Sequence, residues 1–278
     1  MIIIGECIHV ISRGVREAIE KRDKGFIQDM ALDQVESGAQ MLDLNIGPQR
    51  KTGPEVMSWM VDTIQEVTDA PLSLDTTNAA AIEAGLKLCR RKAMINSTTA
   101  APERLAQAMP LAAKYNANII ALTMRETGLP VSADARIEIA ADELASAAEY
   151  GVPLDNIYFD PLVMTVNGCQ EHAPEVIKAT RAIKEVLDPS LKTICGLSNI
   201  SNGAPRQVRP VLNRVFLVMM LGAGLDSAIL DPFDGELTEA IRIIGNRDDS
   251  TPLGRLYLGL YDSYASGGEF DPHIARII

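Results

Sequence analysis

No run in this 278-residue chain approaches the ~18 consecutive apolar residues that a membrane span needs. The opening MIIIGECIHV has neither a basic n-region nor a small-residue cleavage site, so no signal peptide is expected. The four cysteines, Cys7, Cys89, Cys169 and Cys195, are scattered without close pairs, which fits a reducing cytoplasm better than a disulfide framework. Closely spaced Cys and His ligands, the mark of structural zinc, are missing too. Cys7 and His9 make a thin pair, and His172 precedes APEV, where a helix begins, as a cap or contact residue. Cationic charge is short: 26 Lys and Arg face 37 Asp and Glu, for a net charge of -11. Nonspecific binding to nucleic acid or to an anionic membrane is therefore not expected.

What the chain does have is alternation. Eight β-rich runs stand at 2–6, 41–47, 71–76, 93–98, 118–124, 157–163, 192–199 and 225–232. Between them lie segments such as GPEVMSWMVDTIQEVT and PEVIKATRAIKEVL, apolar at helical spacing, with glycine or proline at their ends. Eight strand–helix units in about 230 residues predict a (β/α)8 TIM barrel, of class α/β. A doubly wound sheet is the alternative, but no G-x-G-x-x-G follows the first run. No serine- or proline-rich linker divides the chain. Residues 1–246 are read as the barrel and 247–278 as a C-terminal extension packed on it.

The runs share a polar finish: Glu6, Asp43 with Asn45, Asp75, Asn96, Asp160, Ser198 with Asn199, and Asp231. A single Asp or Asn at such a place is an ordinary helix cap. Seven of eight ends are more than capping demands, and in a barrel they converge on the face that carries active sites. Arg and Lys are nearly absent there, so the predicted cup offers acceptors and amides rather than a phosphate clamp. A carboxylate deep in a cup accepts two parallel hydrogen bonds from a planar N–H/NH2 edge, and a carboxamide both donates and accepts. Asp75, Asn96 and Asp160 form such a set. It suits the 2-amino-4-oxo edge of a pterin; a sugar or a purine could use similar groups.

Taken together, LDLNIGP, SLDTTNAAAIEAGLK, AMINST, FDPL, HAPEV, GLSNIS and RPVLNRVFL resemble the methyltetrahydrofolate:corrinoid methyltransferases. These are pterin-binding barrels distantly related to dihydropteroate synthases and to the folate domain of cobalamin-dependent methionine synthase. The resemblance runs from about residue 2 to about residue 232. It implies a homodimeric enzyme that moves a methyl group between N5 of a tetrahydrofolate and the cobalt of a separate corrinoid (cobalamin-type) protein. It also implies that Asp75, Asn96 and Asp160 bind the pterin. Gly196, Ser198 and Asn199 would then line the reacting side, with Asn199 near N5 in the catalytic role. No D-x-H-x-x-G corrinoid motif occurs in the chain, so the cobalt is expected on another protein. With no zinc set to activate it, a thiol substrate such as homocysteine is not expected.

The sequence departs from the family at GECIH, at SNGAPRQVRP and in the C-terminal extension, which does not resemble the family strongly and is read as a dimer or partner surface. GECIH stands where GERIN is expected, so Cys7 replaces an arginine and His9 an asparagine. SNGAPRQVRP carries Arg206 and Arg209, which either meet a folate glutamate tail or an acidic partner, or belong to a solvated loop. Dihydropteroate synthesis is the second enzymatic reading. It would need a basic residue near the last strands to hold a diphosphate, and LDPFDGE supplies none. A noncatalytic folate-binding barrel is the third. The direction of methyl transfer is open, with the departures at Cys7 and His9 leaning towards a demethylation system.

Overall fold

The computed structural model describes residues 1–267; the end of the expected extension, 268–278, lies outside the described residues. Eight strands form one closed, all-parallel barrel in sequence order. They are β1 (Ile2–His9), β2 (Met41–Asn45), β3 (Leu72–Asp75), β4 (Met94–Thr99), β5 (Asn118–Leu122), β6 (Ile157–Asp160), β7 (Lys192–Gly196) and β8 (Ser227–Leu230). Each falls on one of the eight runs expected from the sequence. The helices that cover them are α1 (Arg13–Lys21), α2 (Lys24–Glu36), α3 (Gly53–Gln65), α4 (Ala79–Leu88), α5 (Pro102–Tyr115), α6 (Ala133–Glu149), the single turn α7 (Val166–Cys169), α8 (His172–Ala182), α9 (Arg209–Gly222), α10 (Gly235–Asn246) and α11 (Pro252–Ala265).

Local chemistry starts these helices. Asn78 accepts from the Ala80 and Ala81 amides at the head of α4, and Asp234 plays the same part for α10. Proline opens α3, α5, α9 and α11, where its missing N–H loses nothing. The helices bury an apolar layer against the outside of the barrel. Beyond it, α11 closes on α9 and α10 through Val218, Ala240, Ile243, Tyr257 and Leu258. Gly222 permits this approach, because a Cβ there would stand 2.6 Å from the Tyr261 carbonyl oxygen.

Inside the barrel lies a second core: Ile4, Met41, Met94, Ile120, Tyr158 and Ile194, with Leu122 and Ile229 packed against it. Strand side chains repeat every two residues. One step further along each strand therefore comes the next inward position: Glu6, Asp43, Asp75, Asn96, Leu122, Asp160, Gly196 and, just past β8, Asp231. The barrel is thus plugged with apolar side chains below and carries a polar ring above them.

One ionisable side chain stands outside this order. Glu143, on the inner face of α6, is fully buried, and neither carboxylate oxygen has a hydrogen-bond partner among the described residues. Burial drives its pKa well above the ordinary carboxylate range. Such a group leaves folding undisturbed at low pH, while it is protonated in both states. It withdraws stability as pH rises from the unfolded pKa towards the raised folded one. Glu143→Met should therefore unfold at a higher temperature than wild type at neutral and alkaline pH, by about 1–3 kcal/mol. The advantage should vanish near pH ~4, and a gain independent of pH would show that packing, not charge, was corrected.

Candidate functional site

The polar ring is built from adjacent strand ends. Asn45, Asp75 and Asn96 lie side by side in the β2–β3–β4 register. Asn45 Nδ2 donates to Asp75 Oδ2 at 2.5 Å, and Asn96 Nδ2 donates to Asp43 Oδ1 at 3.0 Å. Asn45 Oδ1 in turn accepts the Gly47 amide at 3.0 Å, which fixes the sense of its carboxamide. Asp43 and Asn45 were visible as strand-end polar residues, and their spacing of two puts both on the inner face. They hold Asp75 and Asn96 in place, leaving the second Asp75 oxygen and the Asn96 oxygen as acceptors. Burial raises both Asp43 and Asp75 above the usual carboxylate range, and for Asp75 the nearby Asp43 charge adds to the effect.

Asp160 is anchored differently. Its Oδ1 accepts the Leu162 amide at 2.7 Å, across a turn in which Leu162 has φ +62. A leucine in the left-handed region is uncommon and needs support from its surroundings. Arg136 supplies it. This fully buried α6 arginine donates to the Pro161 carbonyl at 2.8 Å and to the Val131 carbonyl, and lies 3.1 Å from His172 Nδ1. An arginine has no acceptor, so the His172 Nδ1 must accept. His172 is a contact residue at the start of α8, as its position in the sequence suggested. Burial raises Asp160 to about 7, against the Leu162 hydrogen bond and the Arg136 charge, which both lower it.

The β7 position of the ring has no side chain. A Cβ on Gly196 would meet only Asn199, at 3.2 Å from Nδ2. The strand ends in a short turn, Leu197–Ser201, which folds the exposed Asn199 carboxamide back over the gap. The missing side chain at Gly196 makes room for Asn199. The Ser198 hydroxyl donates to Glu6 Oε1 of the ring, across β8.

The first strand explains its own departures. Its pairing with β2 shifts register between Gly5 and Ile8, a bulge that re-aims the side chains around it. The fully buried Gln34 fills the space beside Gly5, where a Cβ would stand 2.4 Å from Gln34 Oε1. The same oxygen accepts the Cys7 amide at 2.9 Å. Cys7 Sγ lies 3.4 Å from Asp231 Oδ1, and burial with the Asp231 charge pushes the thiol pKa up. That thiol is therefore no ready nucleophile. His9 Nδ1 accepts the Ser12 amide at 3.3 Å and serves the turn into α1. Arg209 donates to the Ala204 carbonyl at 2.8 Å and ties down its own loop, while Arg206 is exposed. A cavity of about 520 Å³ beside the mouth is lined by Arg50 and Thr77 from the loops after β2 and β3, by the start of α4 and by Gln107 of α5, and by none of the ring carboxylates.

The ring therefore presents acceptors to whatever enters it. The pattern of the pterin-binding enzymes matches residues 16–231. The chain belongs to the pterin-binding enzyme family. This pterin-binding barrel is 30% identical over 244 residues to a methylcorrinoid:tetrahydrofolate methyltransferase from Eubacterium limosum, covering 87% of this chain and 89% of that one. It is 35% identical over 240 residues to a methionine synthase from Mycobacterium tuberculosis, spanning 83% of this chain and 20% of that longer protein. Among solved structures, a dihydropteroate synthase from Thermus thermophilus in complex with 6HMPPP superposes with a TM-score of 0.63 at 16% identity. That match covers 88% of this chain and 93% of the other, and it establishes a shared fold. The relatives identified by sequence are methyltransferases. No helix of the described residues is long and apolar enough to cross a membrane.

Proposed function

We propose that this barrel is a methyltransferase that moves a methyl group between N5 of a tetrahydrofolate and the cobalt of a separate corrinoid protein. The observation that carries this reading is the acceptor ring of Asp75, Asn96 and Asp160, with Asn199 poised beside it over Gly196. Asp160 takes the 2-amino/N3–H edge, and Asp75 and Asn96 take the remaining polar atoms of the pterin. Gly196 and Ser198 form the wall on the reacting side, and Asn199 serves N5. The resemblance to a methylcorrinoid:tetrahydrofolate methyltransferase supports both substrates. The assembly we propose is the homodimer that the sequence resemblance implies, meeting its corrinoid partner transiently. Dihydropteroate synthesis is disfavoured because the ring positions hold no lysine or arginine to meet a diphosphate, and the chain past β8, Asp231-Pro232-Phe233-Asp234, is acidic.

The chemistry asks little of the protein beyond placement and charge. Cobalt(I) is itself a strong nucleophile, so no protein nucleophile is needed. The chain holds the ring in line with the cobalt and stabilises charge at N5. The test supplies 5-methyltetrahydrofolate labelled in its methyl group together with a reduced corrinoid protein. Label should pass to the corrinoid only with this chain present. Formation of dihydropteroate from a pterin diphosphate and p-aminobenzoate, without methyl transfer, would reject the reading.

Binding should depend on pH in a definite direction. Burial holds the Asp160 carboxyl at about 7. Two N–H donors on the ligand favour the ionised carboxylate and so lower that pKa in the complex. Below about 7 the ligand must displace a proton; above it, none. Affinity for tetrahydrofolate should therefore fall as pH drops below neutrality, by up to about tenfold per unit for one proton. It should level off on the alkaline side. Isothermal titration across this range checks the sign, and tighter binding at acid pH would contradict it.

A further inference from the structure

Glu6 occupies the β1 position of the ring, yet its partner lies two strands away. The side chain reaches past β8 to accept the Ser198 hydroxyl at the end of β7, across 192 residues of sequence. Ser198 directly precedes Asn199, whose carboxamide covers the gap at Gly196. The Glu6–Ser198 pair therefore borders the one ring position that carries no side chain. The charged groups that bear on Glu6 are acidic: Asp231 past β8 and Asp43 on β2. Cys7, beside it on β1, is turned to Asp231, and Cys195 on β7 is buried. Gln34, behind the bulge from α2, is engaged with the Cys7 amide.

Resting on the methyltransferase reading above, we infer that Glu6 is a positioning residue that stores the folate N5 proton, exchanging it through the Ser198 hydroxyl. When tetrahydrofolate is methylated, the N5 lone pair forms the new N–C bond and the C–Co bond breaks. Its electron pair stays on cobalt, which goes from cobalt(III) to cobalt(I). N5 then carries a surplus proton. That proton passes to the Ser198 oxygen as Ser198 passes its own to the Glu6 carboxylate, and Glu6 later releases it to water. In the opposite direction protonated Glu6 supplies the proton, and the leaving nitrogen departs as neutral N5–H. A surface glutamate is too acidic to hold a proton at neutral pH. Here burial, reinforced by the Asp231 and Asp43 charges, raises the carboxyl to about 7 against the hydrogen bond from Ser198. Both forms are accessible, as a reversible proton store requires.

The test is single-turnover methyl transfer between tetrahydrofolate and a corrinoid protein, in both directions, with full-length wild type and Glu6→Gln. Rates are followed from about pH 6 to about pH 8.5, either side of the titration of the store. In wild type the methylation of tetrahydrofolate should rise, and its demethylation fall, through neutrality. Glu6→Gln should slow transfer about a hundredfold and lose that inflection. Its affinity for tetrahydrofolate should stay within about twofold, since no ring contact to the pterin edge is removed. Glu6→Asp, which keeps a carboxyl, should recover part of the rate together with the inflection. Should Glu6→Gln fail to fold, Ser198→Ala breaks the same link and should lose the inflection likewise. An unchanged rate, a retained inflection, or a loss of affinity matching the loss of rate would overturn the assignment. Wild type that transfers methyl normally beside an unaffected Glu6→Gln refutes the proton store alone. Wild type that binds tetrahydrofolate but transfers nothing refutes the methyltransferase reading, and the proton store with it.

Discussion

Asn199→Ala should slow methyl transfer by about 10²–10³-fold while weakening tetrahydrofolate binding far less. The structural grounds are specific. Asn199 is exposed at the end of β7, and its carboxamide has no hydrogen-bond partner among the described residues. It rests against Gly196. Removing it therefore takes away no support for the fold. What disappears is a group able to donate to neutral N5 and, by rotating, to accept from protonated N5. An interaction that strengthens as charge develops at N5 shows in the rate rather than in ground-state affinity. Single-turnover transfer paired with a binding titration separates the two. A rate within about twofold of wild type would reduce Asn199 to part of the wall.

Asp160 should behave in the opposite way. Asp160→Ala should weaken tetrahydrofolate binding by about tenfold to a hundredfold, because two buried donors of the ligand lose their acceptor. The same change strips the Leu162 amide of its acceptor and leaves the φ +62 conformation less supported, so a loss of stability should accompany it. Asp160→Asn separates these effects. Its oxygen can keep the Leu162 amide, while its NH2 group faces the ligand's donors. Stability should then be largely kept and affinity lost. Asp75→Ala and Asn96→Ala should also lose affinity, since each presents a free acceptor to the same ring as Asp160. Unchanged affinity in Asp160→Ala would remove it from the pterin site, and full competition by a sugar or a purine would remove the pterin.

The barrel was legible because its strands are buried runs with polar ends, and its helices carry their own start signals at Asn78, Asp234 and four prolines. The acceptor ring was legible for the same reason. Asp43, Asp75, Asn96 and Asp160 each stand two residues beyond an inward-facing neighbour in the chain. Hidden were the supports that reach across the fold. Arg136 reads in sequence as one more charged residue of an amphipathic helix, since arginine is seldom fully buried. Only the turn at Pro161 and Leu162, which it holds from α6, reveals its work. The Glu6–Ser198 pair was hidden by distance along the chain, and by a bulge in β1 that periodicity alone does not announce. The first strand accordingly runs on to His9, past the expected end at Glu6. Its family departures have local explanations: Cys7 turns to Asp231, and His9 accepts from the backbone of the following turn.

The most direct measurement follows cobalt itself. A reduced corrinoid protein is mixed with this chain and 5-methyltetrahydrofolate, and the cobalt(I) absorbance is recorded through one turnover. Cobalt(I) should disappear as methylcobalt(III) forms, with tetrahydrofolate released in equal amount. The reverse trace should emerge when methylated corrinoid protein meets tetrahydrofolate. Persistence of the cobalt(I) signal with a panel of corrinoid proteins, at folate concentrations that saturate the ring, would contradict methyl transfer and leave a barrel that binds folate without acting on it.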